Sequence, residues 1–255
     1  MNVHTPDEPE LTLRPAFLAY VDVMGMRQRL KEGATRDVLV ALGTFRAMVV
    51  GLEERKADRA KEAKHGQTLQ MATFSDCIAL SCPPIPEETG WLVFELQVMC
   101  QFLVKVGFYP RGAITVGGLY HEGTFLIGPS LVEAHGLEQN VSKYPRIVVA
   151  DSAATLAHLP SVEGDGRPGP LQTRVDLDGI RYLSIYPQGL TEGKLAQPKE
   201  RATAAKEAIQ ARRANQKSPE RPQSAVEAMG TLGRDTWMLR YLDSVIEAAS
   251  ASTED

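Results

Sequence analysis

Two aspartates sit inside short apolar runs: Asp22 in FLAYVDVMG (Phe17 to Gly25) and Asp76 in TFSDCIALS (Thr73 to Ser81). Each run reads as a buried strand, and an acid among such residues is costly unless its charge is met. Two such strands lying side by side would bring the acids together, and a shared divalent-metal site is the natural compensation. Carboxylates that clamp two metals roughly 4 Å apart are the usual device for moving a phosphoryl group. On these residues alone, two unrelated acids at strand ends explain the pattern equally well.

A chain of 255 residues is long enough for one large domain, or one domain with additions. Net charge is −4 and the pI about 5.8, which argues against a dedicated nucleic-acid binder with its basic footprint. No run of about 18 apolar residues is present, so no membrane span is expected. The apolar stretch Trp91 to Phe108 is interrupted by Glu95, Gln97, Gln101 and Lys105. The acidic, Pro-containing start MNVHTPDEPELTLRP lacks the layout of a signal peptide. Cys77, Cys82 and Cys100 have no zinc spacing, and reduced thiols in a cytoplasmic protein are expected.

Along the chain, 1–14 reads as a flexible arm, 15–192 as the main globular domain, 193–224 as a basic, partly disordered or helical segment, and 225–249 as a final helix packed on the domain. Within the domain a strand ends at Gly25, where a helical region begins and runs to about Arg55. The charged stretch Glu53 to Lys64 reads as its solvated extension. Leu69 to Ser81 is a strand or hairpin arm, stopped by Pro83, Pro84 and Pro86. Glu87 to Val106 is an amphipathic helix on Leu92, Leu96, Met99, Leu103 and Val106.

Glycine-flanked arms around YHEG (Tyr120 to Gly123) predict a hairpin, and Pro129 marks a helix start. RIVVA (Arg146 to Ala150) and Ile180 to Ile185 are further strands. Leu159 to Leu171 is a Gly- and Pro-rich loop. Lys194 to Arg221, with Lys199, Arg201, Lys206, Arg212 and Arg213, reads as a solvated helix rather than a nucleic-acid contact. This order predicts an α+β fold of ferredoxin-like character, with helices on one face of an antiparallel or mixed sheet.

Strand alternation puts Tyr20, Asp22 and Met24 on one face, and Phe74, Asp76 and Ile78 on one face with Ser75 and Cys77 on the other. After Asp22 the chain passes Gly25 into a helix. A glycine there lets the backbone approach a ligand, and the free amides of a first helical turn suit a triphosphate. Of the histidines, His135 is the one best placed to approach such a site. The glycines at 117, 118, 123 and 128 punctuate a hairpin and lack the strand–loop–helix context of a dinucleotide fingerprint. No nucleophilic serine elbow is present.

These segments resemble the class III nucleotidyl cyclases: AYVDVMGM their first metal strand, MATFSDCIAL their second, and RGAITVGGLY with FLIGPSLVEAHGLE their later hairpin and nucleotide-side helix. Within that superfamily the chain is most similar to the bacterial pyrimidine-nucleotide cyclases of the Pycsar anti-phage defence system, through FSDCIAL, the long block from Arg111 to Val149, and RDTWMLRYL. The resemblance spans about 15–150 and the last helix. It implies a class III cyclase catalytic domain whose mixed, mainly antiparallel sheet has helices packed on it.

It further implies that Asp22 and Asp76 bind two Mg²⁺ or Mn²⁺ ions, one completed by the Val23 carbonyl. Tyr20 and the amides of Met24, Gly25 and Met26 would lie against the triphosphate. Ala72 and Phe125 align with the residues that read purines, and neither offers a side-chain hydrogen bond. The Asn and Arg that purine cyclases carry on the helix after Gly128 align with Val132 and Gly136, which leaves Arg111, Arg146 and Lys143 as candidate cations. The implied protein is a homodimer with two sites. It would convert UTP, or CTP, to the 3′,5′-cyclic monophosphate, and a downstream effector would act through that product, without membrane or nucleic-acid partners. A catalytically inactive, nucleotide-binding dimeric sensor of the same fold is the alternative, and a palm-like polymerising enzyme would need a more basic template groove than this chain carries.

Overall fold

The computed structural model describes residues 11–26, 69–155, 171–186, 198–214 and 222–251, with isolated helical positions between 36 and 57. The first ten residues, most of the region from 27 to 68, and residues 156–170, 187–197, 215–221 and 252–255 lie outside the described residues, and with them nearly all of the expected Leu159–Leu171 loop. So do much of the expected first helix, most of its charged extension and part of the basic segment.

The central strand β1 (Arg14–Met24) is buried on both faces from Ala16 to Val21, as expected of a strand with neighbours on either side and layers above and below. β2 (Gln70–Phe74) and β3 (Cys77–Cys82) form a hairpin joined by Ser75 and Asp76. β3 pairs antiparallel with one edge of β1. β4 (Tyr109–Glu122) pairs antiparallel with the other edge over the full length of β1. β5 (Phe125–Ile127) folds back on the far end of β4, which is the hairpin expected around YHEG.

β6 (Ile147–Val149) lies parallel to β4, and the small hairpin of β7 (Thr173–Val175) and β8 (Arg181–Leu183) completes the sheet in the order β2-β3-β1-β4-β6-β8-β7. Among the described residues every pairing but β4–β6 is antiparallel, so the fold is α+β with a mixed, mainly antiparallel sheet. Among the described residues no helix is long and apolar enough to cross a membrane.

Helix α1 (Pro86–Lys105) begins with proline, carries Glu87 and Glu88 in its first turn and Lys105 in its last, each at the helix end that favours its charge. Its apolar stripe packs on the Phe17, Ala19, Val21 and Val23 face of β1. Helices α2 (Pro129–Asn140), α3 (Asp151–Ala154), α4 (Pro198–Ala214) and α5 (Pro222–Ala251) follow. α4 and α5 join α1 on that first face through Ala202, Ala205, Ile209, Trp237, Met238 and Leu242.

The expectation of helices on one face alone is corrected here. α2 covers the opposite face, where Ala134 with Leu131 and Leu137 packs on Ala16, Leu18, Tyr20, Ala72, Ala79 and Ala113. The many alanines there leave room for a helix close to the strands. At Gly112 the backbones of β1 and β4 meet so closely that a Cβ would stand 2.0 Å from the Tyr20 carbonyl oxygen, so only glycine fits.

The basic segment also differs from its solvated reading. α4 is docked: Arg201 donates to Gln101 Oε1 at 3.2 Å, Lys206 pairs with Asp243, and Arg212 donates to the fully buried Asp235 at 2.9 Å and to the Tyr109 hydroxyl. The acid and hydroxyl are inside the core, so a basic residue must come to them. All three cysteines are free thiols, Cys82 and Cys100 buried and Cys77 half-buried.

Candidate active site

Pairing across three strands lines up one row of side chains. Asp22 is opposite Cys77 on β3 and opposite Arg111 on β4, so all three share the α2 face of the sheet. The Arg111 Nη2 donates to Asp22 Oδ2 at 2.8 Å and also ion-pairs with Glu138 on α2. The Cys77 Sγ lies 4.0 Å from Asp22 Oδ1 and accepts from the Tyr20 hydroxyl at 3.2 Å.

Asp76 lies in the two-residue turn, not within a strand. The turn opens with Ser75 at φ 57°, a conformation that glycine usually supplies in such hairpins and that costs serine about 1–2 kcal/mol. The turn is tied to the end of β1 because the Val23 amide donates to the Asp76 carbonyl at 2.9 Å. Asp76 therefore reaches Asp22 through a main-chain bond. It also ends the simple alternation that would have placed Cys77 on the other face.

Donor atoms of Asp22, Asp76 and Cys77 lie within 4.8 Å of one another. Asp22, Asp76 and Glu138 set three carboxyls around the guanidinium of Arg111, a surplus of negative charge that a divalent cation would meet. The donor set therefore fits a metal ion. Burial pushes the Asp22 carboxyl up, against the pull of Arg111, and Asp76 adds to the rise. Burial raises Glu138 as well, again opposed by Arg111. The Cys77 thiol is raised by burial and by the nearby carboxylates, with the Tyr20 hydrogen bond acting the other way. The Tyr20 hydroxyl is raised mainly by burial.

Tyr20 stacks on Phe74 at a ring separation of 6.2 Å and meets the His135 ring edge-on at 6.0 Å, giving the acids an aromatic wall. Beyond the acids, the chain turns at Gly25 with φ +92°, where among the described residues nothing lies within 4 Å of a Cβ position. Met24, which strand alternation puts with Tyr20 and Asp22, packs instead with Met26 into the core on the α1 face, leaving main-chain groups as what the two can offer a ligand.

The other sequence candidates lie elsewhere. Arg146 is buried, and its guanidinium is held by Asp176 at 2.8 Å and Asp178 at 2.5 Å. Ala72 is buried opposite Ala79 within the α2-face core. Phe125 is exposed on β5 against Tyr120, nine residues along β4 from Arg111, roughly 30 Å at the usual strand rise. Lys143 is exposed in the loop between α2 and β6. Cys77, Phe74 and Glu138 were not singled out by sequence. Cys77 and Phe74 were legible only through the hairpin register, whereas nothing local marks Glu138 as buried.

No protein-family model and no curated protein matches the chain. Among solved structures it is similar to the catalytic core of a rhodopsin-guanylyl cyclase with converted specificity, in complex with ATPalphaS: TM-score 0.45, 13% identity, over 68% of this chain and 96% of that one. It is also similar to a bacterial light-regulated adenylyl cyclase: TM-score 0.44, 9% identity, over 76% of this chain and 98% of that one.

Proposed function

We propose that this chain is a metal-dependent nucleotidyl cyclase of the class III superfamily, acting on a pyrimidine triphosphate, UTP ahead of CTP, as a second-messenger synthase in anti-phage defence. The convergence of Asp22, Asp76 and Arg111 at the ends of neighbouring strands carries the reading. The pyrimidine preference and the defence role rest on the sequence resemblance.

Asp22 and Asp76, with the Val23 carbonyl, would hold two Mg²⁺ or Mn²⁺ ions. When bound there, such ions would lower the pKa of the attacking hydroxyl and neutralise the leaving group. The ribose 3′-oxygen bonds to the α-phosphorus, its proton goes to solvent, and the bond to the β-phosphate oxygen breaks to release pyrophosphate. Arg111 is the cation on hand for charge on the α-phosphate oxygens: it already bonds Asp22, whereas the Arg146 guanidinium is buried and turned to Asp176 and Asp178. The Gly25 turn offers an open main chain to the triphosphate, and Tyr20 with Phe74 offers ring surface. A homodimer is supported by the uncovered apolar side chains of Phe125, Ile127 and Val132, the last 74% exposed.

Incubation with each nucleoside triphosphate and Mn²⁺, with products identified by mass spectrometry, tests the proposal. UTP or CTP should give the cyclic monophosphate well ahead of ATP and GTP, and Asp76→Asn should lose a hundredfold or more of the rate. A clear ATP preference overturns the pyrimidine assignment. Nucleotide binding without any product marks the inactive sensor instead.

A further inference from the structure

The most deeply buried carboxylate of the site belongs to none of the roles above. The Glu138 side chain, on α2, is 2% exposed, and its charged partner is Arg111. Gln139 Nε2 donates to its second oxygen at 2.7 Å. A buried carboxylate left without its counter-ion is strongly destabilising, so Glu138 and Arg111 hold one another. The same arginine nitrogen also donates to Asp22. One guanidinium is thus shared between an acid of the proposed metal site and an acid behind it.

That sharing decides what happens when a cation arrives. A divalent ion held by Asp22, Asp76 and Cys77 would compete with Arg111 for the Asp22 carboxylate. Were Asp22 the arginine's sole partner, the full charge of Arg111 would bear on it, and the ion would have to break the pair and set the side chain loose. Glu138 divides that attraction and keeps the guanidinium where it stands. Arg111 uses a single nitrogen, Nη2, for both acids, and its side chain is 24% exposed, so the fork retains donors for a further oxyanion.

Resting on the cyclase reading, we infer that Glu138 is a positioning residue. It anchors Arg111 while a divalent cation takes Asp22, so that the arginine exchanges one carboxylate for a phosphate oxygen of a nucleotide without leaving the site.

Mn²⁺ binding to the nucleotide-free protein, followed by the electron paramagnetic resonance of free Mn²⁺, reads the anchor without turnover. Glu138→Gln should bind Mn²⁺ about tenfold more weakly, because Arg111 then bears on Asp22 alone. Arg111→Ala should bind at least as tightly as wild type, and the double variant should match Arg111→Ala. Glu138→Asp, which keeps the charge but draws it back by one methylene, should fall between wild type and Glu138→Gln. At saturating Mn²⁺, Glu138→Gln should lower kcat about tenfold with little change in nucleotide KM, an effect absent from the Arg111→Ala background. A wild-type Mn²⁺ affinity in Glu138→Gln, or a loss that persists once Arg111 is gone, overturns the inference. If the wild type cyclises no triphosphate, the cyclase reading fails while the Mn²⁺ cycle still decides the anchor.

Discussion

Asp22→Asn separates a metal ligand from a structural acid. In the absence of metal the substitution has two opposing effects. It removes a carboxylate that burial holds above its ordinary pKa, which relieves the fold, and it takes one partner from Arg111, which Glu138 still retains. The net change without metal should therefore be small, within about 1 kcal/mol. With metal the two proteins diverge. A ligand present at a hundred times its Kd stabilises the folded state by about 2.7 kcal/mol. At about 2–4 °C per kcal/mol for a chain of this size, the wild type should gain roughly 5–10 °C in Tm. Asp22→Asn should gain almost nothing. Scanning calorimetry in EDTA and in a Mn²⁺ series reads both terms on the same samples. An equal Mn²⁺-induced shift in the variant would refute the assignment of Asp22 as a ligand. A drop of several kcal/mol without metal would show that the acid is structural instead.

Two further outcomes follow from charges outside the site. Arg212→Ala strands the fully buried Asp235 and should cost about 3 kcal/mol in denaturant unfolding, whereas Lys199→Ala, on the exposed side of the same helix, should change little. Hydrogen bonds from Arg146 hold Asp178 below its ordinary pKa, so the stability they give is present above the unfolded value near 3.8 and is lost as pH falls through the lower folded one. Wild-type stability should decline with acid below about pH 4, and Asp178→Asn should flatten that limb of the curve.

What was legible in the sequence was whatever a periodic pattern or a turn residue announces. β1 reads as a buried strand from its unbroken apolar run, α1 from its helical stripe, and the β4–β5 hairpin with α2 from YHEG and Pro129. Asp22 stood out because a carboxylate interrupts that apolar run. The details of the site were hidden because the β2–β3 turn uses Ser75 and Asp76 where such turns ordinarily use glycine or asparagine. The alternation counted through the turn put Cys77 on the wrong side, and the register of β1 with β3 restores it to the side of Asp22. Glu138 looks like the polar side of a short amphipathic helix, and its burial arises only because α2 lies across an alanine-lined sheet face. β7 is three residues beside a Gly- and Pro-rich stretch and gives no period to detect. α4 reads as solvated because it buries little more than Ala202, Ala205 and Ile209, while its remaining anchorage is through charges whose partners are remote in sequence.

The link between Tyr109 and Asp235 sets the order in which the molecule can be made. The two residues are 126 positions apart, and Tyr109 stands two residues before Arg111 on the same strand. At 5–20 residues per second, the ribosome delivers Asp235 on the order of ten seconds after Tyr109. Through that interval one face of the sheet lacks α4 and α5, and the nascent chain exposes the apolar surface those helices later cover. Domains whose decisive contacts are this remote fold slowly and are exposed to aggregation while they wait. Chaperone occupancy during synthesis should accordingly peak after β4 emerges and fall once α5 has left the exit tunnel.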